Sequence, residues 1–530
     1  MERLQAAMAG FLTTHVTTEA RVAAVRSALD TPAGAFLREQ MGGWVVEMLP
    51  AESIVPEIYA AWRPLVRDAM LFMVSRLSAP RLAPKLVEQI ELPADTPPGK
   101  RLLRLIAKVP GLQKIGQVLA RNRHLSPELR AALSELENGI SDVDPAEVHS
   151  RVRRLLGQRV ERHAVEIEPG IFSEASVSAV LRFSWNDPAS GRRDRGVFKI
   201  LKPYVSGCFA EDLELLQQLA AFLAERHPEY GRALPETLLE VRRLLEHEVD
   251  FRREQATLAE AAQAYRGVKR VRVPRVIPAL CGDTVTAMSE EEGEKVTSAL
   301  ARAPEAERRQ AAEDLIEALV AVPLFAAGER GIFHADPHAG NLLFNRQTGE
   351  LTLLDWALTE RLGSQQRRHA AMLGLMLALR DPAGVCSEIE AIRTAHHRPA
   401  AQFIREEVEC FIGQLPLAHL PGSLDVMRLL DRLALAGVKF PPALMMFRKV
   451  LFTLDGILHD IAAPNIHMDL VAARYLLGRW KSHITTLGSP LSIVDWIAVQ
   501  SSMLLYGGRL WVQWAEAALQ RQAIETQASA

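Results

Sequence analysis

The chain has 530 residues, 48% of them apolar and 24% charged, a balance that supports sizeable cores and excludes a mainly disordered protein. Lys and Arg number 62 against 64 Asp and Glu, a net charge of -2, so no basic surplus points to a nucleic-acid partner. The four cysteines, Cys208, Cys281, Cys386 and Cys410, form no CxxC pair, which fits a reducing compartment and argues against a structural zinc site.

In chain order, the start "MERLQAAMAGFLTT" lacks a basic segment followed by a long apolar run, and no secretory signal is read there. Residues 1–104 read as a helical N-terminal region broken at "LSAPRLAP" (77–84) and "LPADTPPGK" (92–100), the second a linker. A helical extension follows over 105–160, in which "SPELRAALSELE" (126–137) carries a helix-start signal. The short Arg clusters at 151–154 and 191–195 read as solvated faces.

Residues 161–293 change character. "SAVLRFSW" (178–185) and "GVFKIL" (196–201) suit strands joined by a polar turn, with helices predicted over 208–226 and 235–265 and short strands at 271–277 and 284–288. Residues 294–480 read as a large helical lobe, except around residues 333–355. Residues 481–530 read as an apolar helical tail. Its stretch 491–512 is long enough to span a bilayer but carries Asp495 and Arg509. Trp496, Trp511 and Trp514 suit a membrane surface or a homodimer seam equally. The class is therefore α+β, a small mixed lobe between helical regions.

The most informative stretch is "FHADPHAGNLLF", residues 333–344. His334 and His338 have the spacing of a helical zinc pair, but Pro337 interrupts a helix and Ala335 stands where a zinc protease needs Glu. Asp336 and Asn341 have the separation of the acid and amide in a kinase catalytic loop. There the aspartate orients or accepts the proton of an attacking hydroxyl, and the amide turns to a magnesium ion. "NLLF", the turn "NRQTGE" and "LTLLD" predict an antiparallel hairpin that brings Asn341 beside Asp355. Two oxygen ligands placed so make a site for Mg²⁺ bridging nucleotide phosphates. Lys199 in "VFKILKP" is a candidate for the phosphate lysine, with Lys202 as its competitor at the strand end. Glu246, Glu248, Asp250 and Glu254 of one predicted helix are candidate carboxylate partners.

Taken together, "FHADPHAGNLLF", "KILKP", "EVDFRREQ" and "KIGQVLARNRHLSPELRAALSELE" resemble the UbiB/AarF/ADCK atypical kinases over about residues 105–365. The resemblance implies a bilobal protein-kinase-like fold with a helical N-terminal extension. It implies that Asp336 is the catalytic acid, that Asn341 and Asp355 hold the metal and that Lys199 pairs with Glu254. Lys114 and Gln117 match the family's KxGQ motif, Glu248 and Asp250 its ExD motif, and nucleotide contacts fall at Ala175, Ser176 and Met288. In this family the KxGQ helix covers the site where a peptide would bind. ATP or ADP with Mg²⁺, a small lipid-like substrate related to isoprenoid quinones, and a cytoplasmic location peripheral to the inner membrane are expected.

The sequence departs from that pattern in four places, one of them Ala339 in place of the family's proline. "SEASVSAV" (173–180) keeps only Ala175 of the family's alanine triplet, and Glu174 brings a negative charge toward the phosphates. "DWA" (355–357) replaces DFG and removes its glycine hinge, and Ser289 replaces a hinge Glu. An ATP-dependent phosphotransferase or ATPase is the leading expectation. A nucleotide-binding regulatory scaffold and a small-molecule phosphotransferase of the aminoglycoside or choline kinase type are the alternatives.

Overall fold

The computed structural model describes residues 17–93, 95–120, 129, 143–231, 233–326, 328–394, 401–416, 419–461 and 466–482, with single residues at 495, 497, 500 and 501. The helix-start signal at 126–137 and most of the apolar tail lie outside the described residues. The chain forms two units, Met1–Arg253 with Ile277–Glu290, and Glu254–Val276 with Glu291–Ala530.

The first unit begins with helices α1 (Thr18–Leu29), α2 (Gly34–Met48), α3 (Arg63–Arg76), α4 (Ala79–Glu91), α5 (Pro98–Ile106) and α6 (Pro110–Ala120). The expected break at residues 77–84 is displaced. Pro80 sits in the first turn of α4, where a missing N–H costs nothing. Pro84 lies inside the helix, carried by burial of Leu82, Ala83, Leu86 and Val87, so packing overrides the proline's intrinsic preference. These helices share a core with Leu215, Leu219 and Leu223 of α8 (Pro203–Arg226), the long helix of this unit. A polar seam crosses the same contact: Arg81 donates to Asp212 at 2.7 Å, and burial raises the Asp212 carboxyl to about 6. Lys85 donates to the Ala107 carbonyl, and burial lowers its ammonium to about 7.

The mixed part of this unit is one twisted sheet. Strands β1 (Glu166–Ile167) and β2 (Ser173–Glu174) pair with β3 (Ser178–Asn186), which pairs antiparallel with β4 (Arg193–Leu201). Outside it in sequence, β6 (Val285–Ser289) completes the sheet against β4. Burial alternates along β3, as a half-buried strand requires. Its inner face stacks Phe183 on Phe198 at 3.9 Å between ring centres. Gly196 on β4 is forced by this stack, because a Cβ there would lie 2.6 Å from the Phe183 ring. Helix α7 (Pro145–Leu156) caps the sheet core through Val148, Val152 and Leu156.

Helical chain over 235–265 is divided in two. Helix α9 (Ala233–Val249) stops at Asp250, whose carboxylate accepts the Arg253 N–H at 2.9 Å and so starts α10 (Phe251–Ala264). The sequence reading of one helix over 235–265 gave no sign that this aspartate would act as a cap.

In the second unit, β5 (Val271–Arg272), β10 (Glu350–Leu353), β9 (Leu342–Asn345) and β7 (Glu294–Lys295) form a sheet in that order. β8 (Arg330–His334) pairs separately with β11 (Thr359–Gly363). The hairpin read from the sequence is present, β9 running antiparallel to β10 with Leu342 opposite Leu353. Helices α11 (Glu305–Ile316), α12 (Ser364–Ala378), α13 (Pro442–Asp460) and α14 (Met468–Ser482) belong to this unit. Asp495 of the apolar tail is 1% exposed and accepts from Arg368 of α12, with Nε to Oδ2 at 2.8 Å. Among the described residues no helix is long and apolar enough to cross a membrane.

One interaction of the first unit settles a question of charge. Glu174 at the end of β2 is paired with Lys202, just beyond β4, at 2.9 Å, with the two side chains 6% and 1% exposed. The Glu174 charge is therefore met within the sheet by Lys202, the competing candidate lysine. Removing one member of a buried pair strands the other charge, at a cost of about 3–5 kcal/mol. Glu174→Gln is expected to lower the thermal midpoint strongly, whereas the paired apolar exchange Glu174→Leu with Lys202→Met recovers most of it. Equal midpoints for Glu174→Gln and the wild type in thermal denaturation would show that the pair is not buried in solution.

Candidate active site

The segment 334–341 is organised by backbone hydrogen bonds to its histidines. His334 ends β8 and is 1% exposed. Its Nδ1 accepts the Asp336 N–H at 3.1 Å, so the proton sits on Nε2, which donates to the Leu354 carbonyl at 2.7 Å. Burial lowers its pKa and keeps the ring neutral. His338 caps the turn Ala339–Asn341 by accepting the Gly340 N–H at 3.1 Å. Both rings thus shape the loop. Among the described residues no group of three or more His, Cys, Asp or Glu is placed to hold a metal by itself.

The same loop collects the sequence-read acid and its two oxygen ligands at one end of the hairpin. The Asn341 amide nitrogen donates to the Asp336 carbonyl at 3.2 Å, and the Asn341 carbonyl accepts the Leu354 N–H at 2.8 Å. A carbonyl can only accept, so the amide presents its nitrogen to Asp336 and turns Oδ1 away. Leu354 is followed directly by Asp355, whose backbone is left-handed at φ 52°. Asp tolerates that region better than most residues, and its Oδ1 accepts the Ala357 N–H at 3.2 Å to hold the turn.

The turn after Asp355 is fixed by the residue that replaces phenylalanine. Trp356 is 1% exposed and donates from its indole to the Leu353 carbonyl at 3.0 Å. Its own carbonyl accepts from the hydroxyls of Thr257 at 2.9 Å and Thr359 at 2.6 Å. Its ring meets Tyr265 and His334 edge to face at 5.6 and 5.2 Å. Thr257 lies one turn after Glu254 on α10, and its single hydroxyl proton is shared between the Trp356 carbonyl and the Glu254 carbonyl, 3.0 Å away. Glu254 itself is 3% exposed.

The remaining residues belong to the first unit. Lys199 lies on β4 between Val180 of β3 and Thr286 of β6 and is 8% exposed. Met288 lies opposite Val197 on β6. Ala175 and Ser176 form the turn between β2 and β3, with the Ala175 N–H on the Ser178 carbonyl at 2.8 Å. Lys114 on α6 is ion-paired with Glu248 on α9, and the Ser176 hydroxyl donates to the other Glu248 oxygen at 3.2 Å. Lys114, Glu248 and the turn between β2 and β3 are thus joined. Asp250 stands apart as the exposed cap of α10. Gln117 follows Lys114 one turn later, and its side chain lies outside the described residues.

Two groups at this site carried no signal in the sequence. Lys449 of α13 donates to the Asp336 carboxylate at 2.9 Å from 113 positions away. On an amphipathic helix such a lysine reads as solvated. Thr257 was equally silent, since a threonine inside a helix ordinarily bonds within its own turn.

Residues 135–388 match the ABC1 atypical kinase-like domain. Two curated relatives carry the name "Probable protein kinase UbiB". The one from Pasteurella multocida (strain Pm70) is 23% identical over 420 residues, covering 73% of this chain and 79% of the relative. The one from Vibrio atlanticus (strain LGP32) is 24% identical over 353 residues, covering 65% of this chain and 63% of the relative, so the chain spans less than two thirds of that protein's length. A solved complex of Rv3197 with erythromycin, from Mycobacterium tuberculosis, is 18% identical with a TM-score of 0.45, covering 66% of this chain and 87% of that one. The matched domain and the names of these relatives agree with the resemblance to the UbiB/AarF/ADCK atypical kinases that the motifs show.

Proposed function

We propose that the protein is an ATP-dependent, Mg²⁺-requiring phosphotransferase or ATPase acting on, or supporting the processing of, a small lipid-like molecule. The observation that carries this reading is the gathering of Asp336, Asn341 and Asp355 at one end of the β9–β10 hairpin. Asn341 Oδ1 and the Asp355 carboxylate are hard oxygen donors, too few for a self-contained cage. That number fits Mg²⁺, which takes one or two protein ligands and completes its shell with phosphate oxygens and water. When bound, the ion would neutralise charge on the phosphates. Asp336 would orient the attacking hydroxyl or water and take its proton, and Lys199 would hold the nucleotide phosphates. The quinone or isoprenoid nature of the substrate rests on the resemblance to the UbiB/AarF/ADCK atypical kinases carried by the sequence motifs.

A regulatory protein that binds nucleotide without turnover is the second reading. It is favoured by the two ties on the phosphate loop, Glu174 to Lys202 and Ser176 to Glu248. Turnover separates the readings. The purified protein is expected to hydrolyse ATP with Mg²⁺ and to stop when EDTA removes the ion. Asp355→Asn should lower kcat at least about a hundredfold, since a metal supplies several kcal/mol of charge stabilisation. ATP binding without hydrolysis by the wild type would leave only the regulatory reading.

The backbone at Asp355 allows the ligand to be tested apart from the fold. Asp355→Gly relaxes the left-handed residue and should keep the thermal midpoint while abolishing Mg²⁺-dependent hydrolysis. Asp355→Val should lose both, because a β-branched side chain at positive φ costs about 1–2 kcal/mol. A midpoint for the valine variant equal to that of the glycine variant would refute the conformational part of the argument.

A further inference from the structure

We infer that Lys449, on a helix beyond the matched kinase-like segment, is a phosphate-binding residue of this site that recognises the terminal phosphate of the nucleotide. The inference rests on the reading that the 336–355 loop handles a phosphoryl group. Between Gly331 and Asn345 the chain contains no Lys or Arg. The candidate acid therefore has no cation on its own loop, although the charge moved in phosphoryl transfer needs one nearby. His338, the one other polar ring of that stretch beside His334, has its Nδ1 engaged by the Gly340 N–H.

Lys449 meets the need from α13. Its ammonium lies 2.9 Å from Asp336 Oδ1, and the two side chains remain 33% and 20% exposed, so an anion can reach them. An ammonium has three donors. One is directed at Asp336, which leaves others for phosphate oxygens. The position is held by the helix and not by the ion pair. Phe447 packs edge to face on Phe333 of β8 at 5.3 Å, and Val450, Leu451 and Leu454 are buried below it. The residue before it, Arg448, is ion-paired with Asp431 and so does not substitute. A partly exposed ion pair adds little to stability, and a purely structural role would leave nucleotide preference untouched.

The test compares the wild type with Lys449→Met and Lys449→Arg, measuring by calorimetry the affinities for Mg²⁺ with the non-hydrolysable ATP analogue AMP-PNP and for Mg²⁺ with ADP. Loss of a charged hydrogen bond to the terminal phosphate should weaken AMP-PNP binding by about tenfold or more in Lys449→Met, with ADP affinity and thermal midpoint unchanged. Lys449→Arg should keep more of the preference, and kcat for ATP should fall in Lys449→Met by more than KM rises. An AMP-PNP to ADP affinity ratio equal to that of the wild type, or equal weakening of both ligands, overturns the assignment. Should the wild type bind both nucleotides without turnover while the ratio still collapses in Lys449→Met, the assignment stands and the catalytic reading falls. A wild type that binds neither nucleotide removes both.

Discussion

The backbone of Leu354 is the pin on which the candidate site turns. Its N–H is bound by the Asn341 carbonyl and its carbonyl by the His334 ring. One residue therefore joins the end of β8, the start of β9 and the end of β10, and delivers Asp355 one position later. The arrangement is stiff because every contributor is spoken for. The other nitrogen of His334 receives the Asp336 N–H, and burial keeps that imidazole neutral. A protonated ring could not accept that bond. The loop's geometry is thus tied to the protonation state of a side chain that takes no part in the proposed chemistry.

Fixed geometry on this loop is matched by fixed geometry after it. In a DFG segment the glycine gives the backbone freedom to turn over. Here Trp356 is held through its indole, its carbonyl and two ring contacts, and Ala357 is buried behind it. Reversing the turn would expose a large aromatic surface and break three hydrogen bonds together. The cost of moving Asp355 is thus set by Trp356. In the other unit, the segment from β2 into the turn before β3 carries two carboxylate ties, Glu174 on Lys202 and Ser176 on Glu248.

Much of this was legible in the sequence because it is local. The Asp336 to Asn341 spacing, the apolar runs flanking "NRQTGE" and the alternation in "SAVLRFSW" each lie within a few residues, where strand period and turn chemistry act directly. Glu174 was legible only as a difficulty: its charge was visible, but its neutralisation required Lys202, whose proximity depends on the β2–β3–β4 register. Asp250 was legible as a motif residue and not as a helix cap, since a cap is recognised by the geometry of the N–H groups it meets. Pro84 misled because local propensity favours a break, whereas burial of its neighbours decides the outcome. Lys449 and Thr257 were silent, because their partners lie 113 and 99 positions away and nothing in their own surroundings distinguishes them.

Those distances bear on what counts as the functional segment. The matched kinase-like region covers residues 135–388. Lys114, which binds Glu248 of the ExD motif, precedes it, and Lys449, which binds Asp336, follows it. Both are cations whose carboxylate partners lie inside the matched region. The matched segment thus supplies the acids, and flanking helices supply counter-charges to two of them. Acids gathered to bind a cation repel one another and any phosphate that approaches, so a site of this kind needs positive charge that is positioned but not consumed. A flanking helix can provide it without altering the loop, and α13 does so while its apolar face, Phe447 against Phe333, is anchored on the strand that leads into Asp336. In each unit, then, a carboxylate of the matched segment is held by a cation that lies outside that segment.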